Sequence, residues 1–517
     1  MGGEKILAGL DPRQRLAVTS ESNAVVSAGA GSGKTRVIAS RYAWLVMEKG
    51  IPVEEILTLT FTNKAVNEMY SRIYSILASY GDDPRARNAV ANFNRANILT
   101  LDSFCTGVAR IAARRYGVSP DFVCDPEAVR ALAVETALPF TLNNRDNQGL
   151  RALLGDKKIQ TLAEELFADT VLSAGSIAAP PDFTALWEKQ RDEILRVWSG
   201  LSQDAAEKTA AMVSAMGNLE KPGDYMAELL RDSASFPPVP PIGLLLAGED
   251  GGAALKKQIQ KYFSLLGRFC AVSFSGRLNA EKEIVRENRD ALRELKESLE
   301  SAALFALSAD TIREVFSLLE TCQREFNRKK REAGVLTFQD IARLAVDALS
   351  RYPDLRQFYN RSFSAIMIDE FQDNNELQRE LVFLLAEKAE CDKPGIPGLP
   401  DLNPGKMIFV GDEKQSIYRF RGADVSVFRK LSGSFSRYYP QGHISLDYNY
   451  RSKPALIGAF NFFFGGLSPE GKAGGPAVFL ADDENLPDYE ARYEGIKPGL
   501  GDSDPQGMKD PPLSFCF

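Results

Sequence analysis

Histidine is almost absent: His443 is the only one in 517 residues. That argues against histidine-based acid–base catalysis and against a histidine-containing zinc site. Cysteine is sparse as well. Cys105, Cys124, Cys270, Cys322, Cys391 and Cys516 are scattered and form no CxxC pair. The pattern fits reduced structural thiols, not a disulfide framework or a zinc cluster. No apolar run approaches the ~20 residues that a membrane span needs. The N-terminal "MGGEKILAGLDPRQ" lacks the basic start and apolar core of a secretory signal. These absences lead to the expectation of a cytoplasmic protein with no membrane partner. Positive charge is also short, with 62 Lys and Arg against 69 Asp and Glu. A net charge of −7 argues against coating nucleic acid over the whole surface, and leaves binding in a local cleft open.

What is present is an alternation. Short apolar runs end in small or polar residues and lead into helical patterns: "NAVVSAG" (23–29), "ILTLTFTN" (56–63), "ANILTLDS" (96–103), "SAIMIDEF" (364–371), "KMIFVGDE" (406–413) and "HISLDYNY" (443–450). Continuous apolar runs of four to six residues suit strands buried on both faces, so the fold class expected is α/β with a parallel sheet. The alternation stops between about Cys105 and Ser362, where the pattern is mainly helical, as in 275–307 and 308–334. That stretch is too long for a loop and reads as an inserted helical domain. Within it, "FPPVPPIGLLLAGEDGGAALKK" (236–257) reads as a flexible link.

The chemistry concentrates at the ends of these runs. "SAGAGSGKTR" (27–36) follows the first run and opens a helix, with Ala28 where the strict phosphate-binding loop has Gly. Gly29, Gly31 and Gly33 let the backbone curl around Ala30 and Ser32 so that N–H groups point at phosphate. Lys34 would neutralise phosphate charge and Thr35 would ligate Mg²⁺, which makes the stretch an ATP or GTP site. "IMIDEFQD" (366–373) carries paired acids at a strand end. Asp369 would hold Mg²⁺ and Glu370 would polarise the attacking water. In "FVGDEKQSIYRFRGAD" (409–424), Gln415 is a neutral group suited to sensing the γ-phosphate. Tyr418, Phe420 and Arg421 follow at once, a mixture that suits stacking on single-stranded bases. The alternative, that Tyr418 and Phe420 are core residues of a turn, has equal support from spacing. Thr62 and Asn63, at the start of the next helix, suit a grip on a nucleic-acid backbone.

Seven segments now stand in one order: "LDPRQRLAV", "AGAGSGKT", "TFTNKAVNEM", "TLDSF", "IDEFQDNN", "GDEKQSIYRFRGAD" and "LDYNYRS". Together they resemble the superfamily 1 DNA helicases of the UvrD/Rep type, from about Leu10 to Ser452. The length of the helical stretch and "GVLTFQDIARLA" (334–345) are similar to the AddA and RecB subunits of recombination helicase–nucleases. The resemblance implies a RecA-like P-loop core in two parts, residues 1–105 and 362–440. It also implies a large inserted helical domain at 106–361 and the start of a second RecA-like core at 441–517.

It implies roles as well. Gln14 would read the adenine edge, Arg36 would lie beside the nucleotide, Tyr450 would stack on adenine, and Arg451 would reach the γ-phosphate from the second core. Phe61, Thr62, Asn63, Phe104, Tyr418, Phe420 and Arg421 would line a single-stranded DNA track. ATP and Mg²⁺ become the expected cofactors, and single-stranded and duplex DNA the expected partners, with room for a second helicase–nuclease subunit. The family's later motifs and the nuclease pattern are not found in 454–517. We therefore expect the N-terminal motor portion of an ATP-dependent 3′→5′ DNA helicase acting in repair or recombination. The alternative is an ATP- and DNA-binding module without unwinding of its own.

Overall fold

Six apolar runs build one parallel sheet. They are β1 (Ala24–Ala28), β2 (Ile56–Thr60), β3 (Asn97–Thr100), β4 (Ala365–Ile368), β5 (Met407–Gly411) and β6 (His443–Leu446), in the order β3-β2-β4-β5-β1-β6. Every pairing is parallel. The computed structural model describes residues 2–466 and 495–499, apart from 155–157, 174–176, 179, 221, 234–236, 249–251, 275–278 and 392–393.

The sheet is covered on both faces, which is why its four inner strands are mostly apolar, while the edge strands β3 and β6 mix polar with apolar residues. Side chains alternate between the faces. Val25, Leu57, Leu59, Ile366, Ile368 and Phe409 join one apolar cluster with the helices Leu101–Ala112, Phe338–Arg351, Glu376–Leu385 and Val425–Tyr438. Val26, Ile56, Ile98, Met367, Ile408 and Ile444 join the other, with the helices Pro12–Thr19, Lys34–Met47, Asn63–Ala78 and Pro84–Ala91. Parallel neighbours need crossovers, and these helices supply them.

The chain divides into two compact units. One comprises Met1–Cys124, Ser176–Ala178 and Leu336–Phe517; the other comprises Asp125–Gly175 and Ala179–Val335. The second is helical, with long helices at Phe183–Gly217, Ala280–Leu307 and Ala309–Ala333. Its interior has one cluster around Trp198, Tyr262, Phe269 and Leu292 and another around Phe140, Phe167, Leu319 and Phe326.

Three expectations change here. The helical unit is narrower than 106–361, because residues 106–124 and 336–361 pack with the sheet through Val108, Ala112, Leu344 and Leu355. The strand at 443–446, expected to open a second core, is the sixth strand of the first sheet. Its residues His443 to Leu446 pair in register with Val25 to Ala28, because β1 otherwise leaves an apolar edge open. Residues 467–494 and 500–517 of the segment assigned to a second core lie outside the described residues. The link at 236–257 holds the helix Gly243–Ala247 and the start of Gly252–Cys270, with Ile242, Leu246 and Leu255 buried in the core. Among the described residues, no helix is long and apolar enough to cross a membrane.

Candidate functional site

The C-terminal ends of β1, β4 and β5 converge on one lysine. Strand β1 delivers the loop 28–33, and the helix Lys34–Met47 starts directly behind it. Gly31 and Gly33 adopt φ of 74° and 85°, a backbone that only glycine takes readily. Ala28 replaces the usual loop glycine without cost, because it is still the last residue of β1 and is buried in the core. Lys34 Nζ donates to Glu370 Oε2 at 2.8 Å and to Gln415 Oε1 at 3.2 Å. Thr35 is half-buried in the first helical turn and Arg36 is exposed.

The acidic side of the site is wired to the next strand end. Glu370 has φ 51°, the only positive value for a non-glycine residue among those described. Such a backbone costs about 1–3 kcal/mol and persists where surrounding contacts impose it. Gln372 supplies one such contact, since its Nε2 donates to Glu370 Oε2 at 2.8 Å. The Oε1 of the same side chain accepts from the N–H of Asp412 at 2.9 Å. Asp412 Oδ2 in turn accepts from Gln415 Nε2 at 2.8 Å. Asp369 is buried, and its Oδ1 accepts from the N–H of Glu370. Burial, and then the charge of Glu370, push the Asp369 carboxyl up to about 7, while Lys34 pulls the other way. The same causes push Asp373 up to about 6.

Among the described residues, no group of three or more His, Cys, Asp or Glu side chains would hold a metal ion unaided. Mg²⁺ does not need one, because it keeps waters and takes one or two protein oxygens together with phosphate. Burial and neighbouring acids raise the Asp369 carboxyl, against the Lys34 charge and the Glu370 N–H, so added positive charge would favour its ionised form. Asp369 with the Thr35 hydroxyl fits such an ion.

The base of the loop is braced from two further directions. Asp11 caps the helix Pro12–Thr19, and its capping box includes Gln14. Gln14 is buried, and its Nε2 donates to the Ser32 carbonyl at 2.9 Å. The second oxygen of Asp11 accepts from the Tyr450 hydroxyl at 2.8 Å. Asn449 Nδ2 donates to the Ala30 carbonyl at 2.8 Å. Arg451, the next residue but one, is exposed. Ser32 Oγ is buried without a hydrogen-bond partner among the described residues. A cavity of about 300 Å³ lies against the loop, lined by Gly29, Ala30, Ser32, Lys414 and Asp447 among others.

The structure thus gathers Gln14, Lys34, Asp369, Glu370, Gln415 and Tyr450 around the loop of 28–33. Sequence reasoning missed Asp11, Gln372, Asp412 and Asn449. Asp11 had a signal, since it precedes Pro12 at a helix start and stands three residues before Gln14.

The aromatic candidates separate. Phe61 and Tyr418 lie 5.0 Å apart between ring centroids, and Tyr418 and Phe420 lie 5.9 Å apart. Phe420 is 79% exposed, so the core alternative does not hold for it. Thr62 caps the helix Asn63–Ala78 by accepting from the Ala65 N–H, and both Thr62 and Asn63 are exposed. The side chain of Arg421 lies outside the described residues. Phe104 does not belong with them. It is buried in the core against Tyr359 and Phe363, with centroids 5.5 and 6.0 Å away, so it presents no face to a ligand.

The family model for the UvrD/REP helicase N-terminal domain matches residues 10–436. The AddA subunit of the ATP-dependent helicase/nuclease from Staphylococcus carnosus (strain TM300) is 26% identical over 476 residues, covering 85% of this chain and 38% of its own length. The protein of the same name from Syntrophomonas wolfei subsp. wolfei is 26% identical over 495 residues, covering 87% and 37%. That from Staphylococcus aureus (strain NCTC 8325 / PS 47) is 25% identical over 497 residues, covering 85% and 38%. The chain therefore spans less than two fifths of the length of these relatives.

Proposed function

The chain belongs to the UvrD/REP helicase N-terminal domain family, and from that membership we propose that it binds ATP with Mg²⁺ at the 28–33 loop as part of a DNA motor. The observation that carries this reading is Lys34, whose ammonium meets both Glu370 and Gln415 at the ends of three adjacent strands. A phosphate in the loop would take over the ammonium and release Glu370, which then orients and deprotonates the attacking water. Gln415, held by Asp412, is left facing the terminal phosphate. Asp369 and Thr35 would hold Mg²⁺, which supplies charge neutralisation across the β- and γ-phosphates.

Gln14 and Tyr450 share Asp11 as a hydrogen-bonding hub, which supports a common base site at that end of the loop. There Gln14 favours adenine over guanine and Tyr450 stacks on the ring, with Arg36 alongside. Arg451 reaches the γ-phosphate. The ring series of half-buried Phe61 and Tyr418 and exposed Phe420, with Thr62, Asn63 and Arg421, forms the single-stranded DNA track, where each stacked base contributes about 1–3 kcal/mol. The helical unit is the inserted domain of such a motor. Opening and closing of the nucleotide site moves DNA 3′→5′ in a helicase acting in repair or recombination, partnered by a second helicase–nuclease subunit. By itself, the chain is the ATP- and DNA-binding part of that machine.

The test is ATP hydrolysis by the 517-residue chain with and without single-stranded DNA. Stimulation that is lost in Lys34→Ala supports the reading. DNA binding with no nucleotide binding at all would overturn it. Nucleotide binding without turnover selects the module reading over the autonomous motor.

A further inference from the structure

Asn449 stands between the loop and the turn that carries Tyr450 and Arg451. It is 2% exposed, and its side-chain amide is committed to both sides. The Nδ2 group donates to the Ala30 carbonyl at 2.8 Å. The Oδ1 atom accepts from the backbone N–H of Arg451 at 2.8 Å and of Ser452 at 2.9 Å. The Tyr450 N–H adds a backbone bond to the Gly31 carbonyl at 2.9 Å. The approach is close. A Cβ built on Gly31 would stand 2.6 Å from Asn449 Oδ1, and φ at Gly31 is +74°.

We propose that Asn449 is a positioning residue that sets two things at once: the shape of the phosphate loop through its amide N–H, and the direction of Arg451 through its amide oxygen. The inference rests on the nucleotide reading above and adds a coupling between its two walls. Only an amide of this length does both. Aspartate keeps the acceptor for Arg451 and loses the donor for Ala30, alanine loses both, and glutamine is one methylene too long for a buried site. Buried backbone groups left without a partner carry a large penalty, so the loop carbonyl and the turn N–H groups are each sensitive to the change.

The two functions separate in binding. Affinities for Mg-ADP and Mg-ATPγS are measured on the full chain by displacement of a fluorescent nucleotide, with thermal melts as a folding control. Absolute affinity reports the loop. The ratio of the two reports contact with the γ-phosphate, which a merely structural defect leaves unmoved. Asn449→Asp should weaken both nucleotides about 10-fold and keep the wild-type ratio. Asn449→Ala should weaken both and reduce the ratio to that of Arg451→Ala, with no further change in the double variant. Asn449→Ala with a wild-type ratio overturns the proposal. If Asn449→Ala does not fold, Asn449→Asp decides alone, and unchanged affinity for both nucleotides overturns it. A wild-type ratio of one overturns the Arg451 half. Wild-type chain that binds neither nucleotide overturns the underlying nucleotide reading, a result distinct from each of these.

Discussion

Lys34 and Glu370 form an ion pair of 2.8 Å, with side-chain exposures of 11% and 33%. The cation of the phosphate loop is thus already occupied by the group proposed to activate water. On the proposed reading, nucleotide would have to break this pair before hydrolysis begins, which would tie the freeing of the base to the arrival of phosphate. Glu370→Gln removes the competing charge. We expect ATP to bind several-fold more tightly and hydrolysis to fall by about 10²–10⁴-fold. Nucleotide titration together with phosphate release checks both, and weaker binding would contradict the competition.

Gln372 connects Glu370 to Asp412 and so joins two strand ends. Space is tight, since a Cβ on Gly411 would stand 2.6 Å from Gln372 Oε1. Gln372→Ala should leave nucleotide affinity within about twofold and lower turnover by about 10–100-fold, as expected when a group that orients a catalytic side chain is lost. A KM and kcat comparison separates these effects.

Phe420 and Phe104 should behave in opposite ways. Phe420→Ala removes an exposed ring and should weaken single-stranded DNA binding by about 1–3 kcal/mol with stability unchanged. Phe104→Ala opens the core beside Tyr359 and Phe363 and should cost about 3–5 kcal/mol of stability. Fluorescence anisotropy with an oligonucleotide and urea unfolding of both variants provide the comparison.

Lys406 gives a pH prediction away from the site. Its ammonium is buried and donates to the Asn360 carbonyl at 2.8 Å. Burial pulls its pKa down from 10.5 to about 8. Between those values the unfolded chain holds a proton that the folded chain has released, so this group's contribution to stability rises with pH. Below about pH 8 the burden is fully present. Lys406→Met should therefore be stabilising near pH 7, by roughly 3 kcal/mol at the most. That advantage should shrink as pH rises from 8 towards 10.5. Denaturant midpoints of variant and wild type across that range test it.

Much of this was legible because burial leaves marks in composition. Strands covered on both faces must be apolar throughout, and "AIMI" and "MIFVG" read as strands for that reason. The glycines and Lys34 of the loop were readable because few residues satisfy that backbone. Sheet membership was not readable for "HISL", since a short strand that alternates polar and apolar residues looks alike in either sheet and only register with β1 decides. Phe104 could have been placed from spacing. Leu101, Phe104, Cys105, Val108 and Ala112 recur at helical intervals and form one buried stripe. Asn449 gave no such sign, because an amide between two tyrosines does not reveal which distant carbonyl it meets.

The position of β1 has a consequence for how the protein is made. It leaves the ribosome long before both of its neighbours, Met407–Gly411 and His443–Leu446. At the usual pace of synthesis, the nascent chain carries that strand with two apolar, unpaired edges for tens of seconds. The phosphate loop waits as long, because its brace from Asn449 comes from 419 residues downstream. A ribosome-bound chain that stops short of His443–Leu446 should therefore need shielding by chaperones.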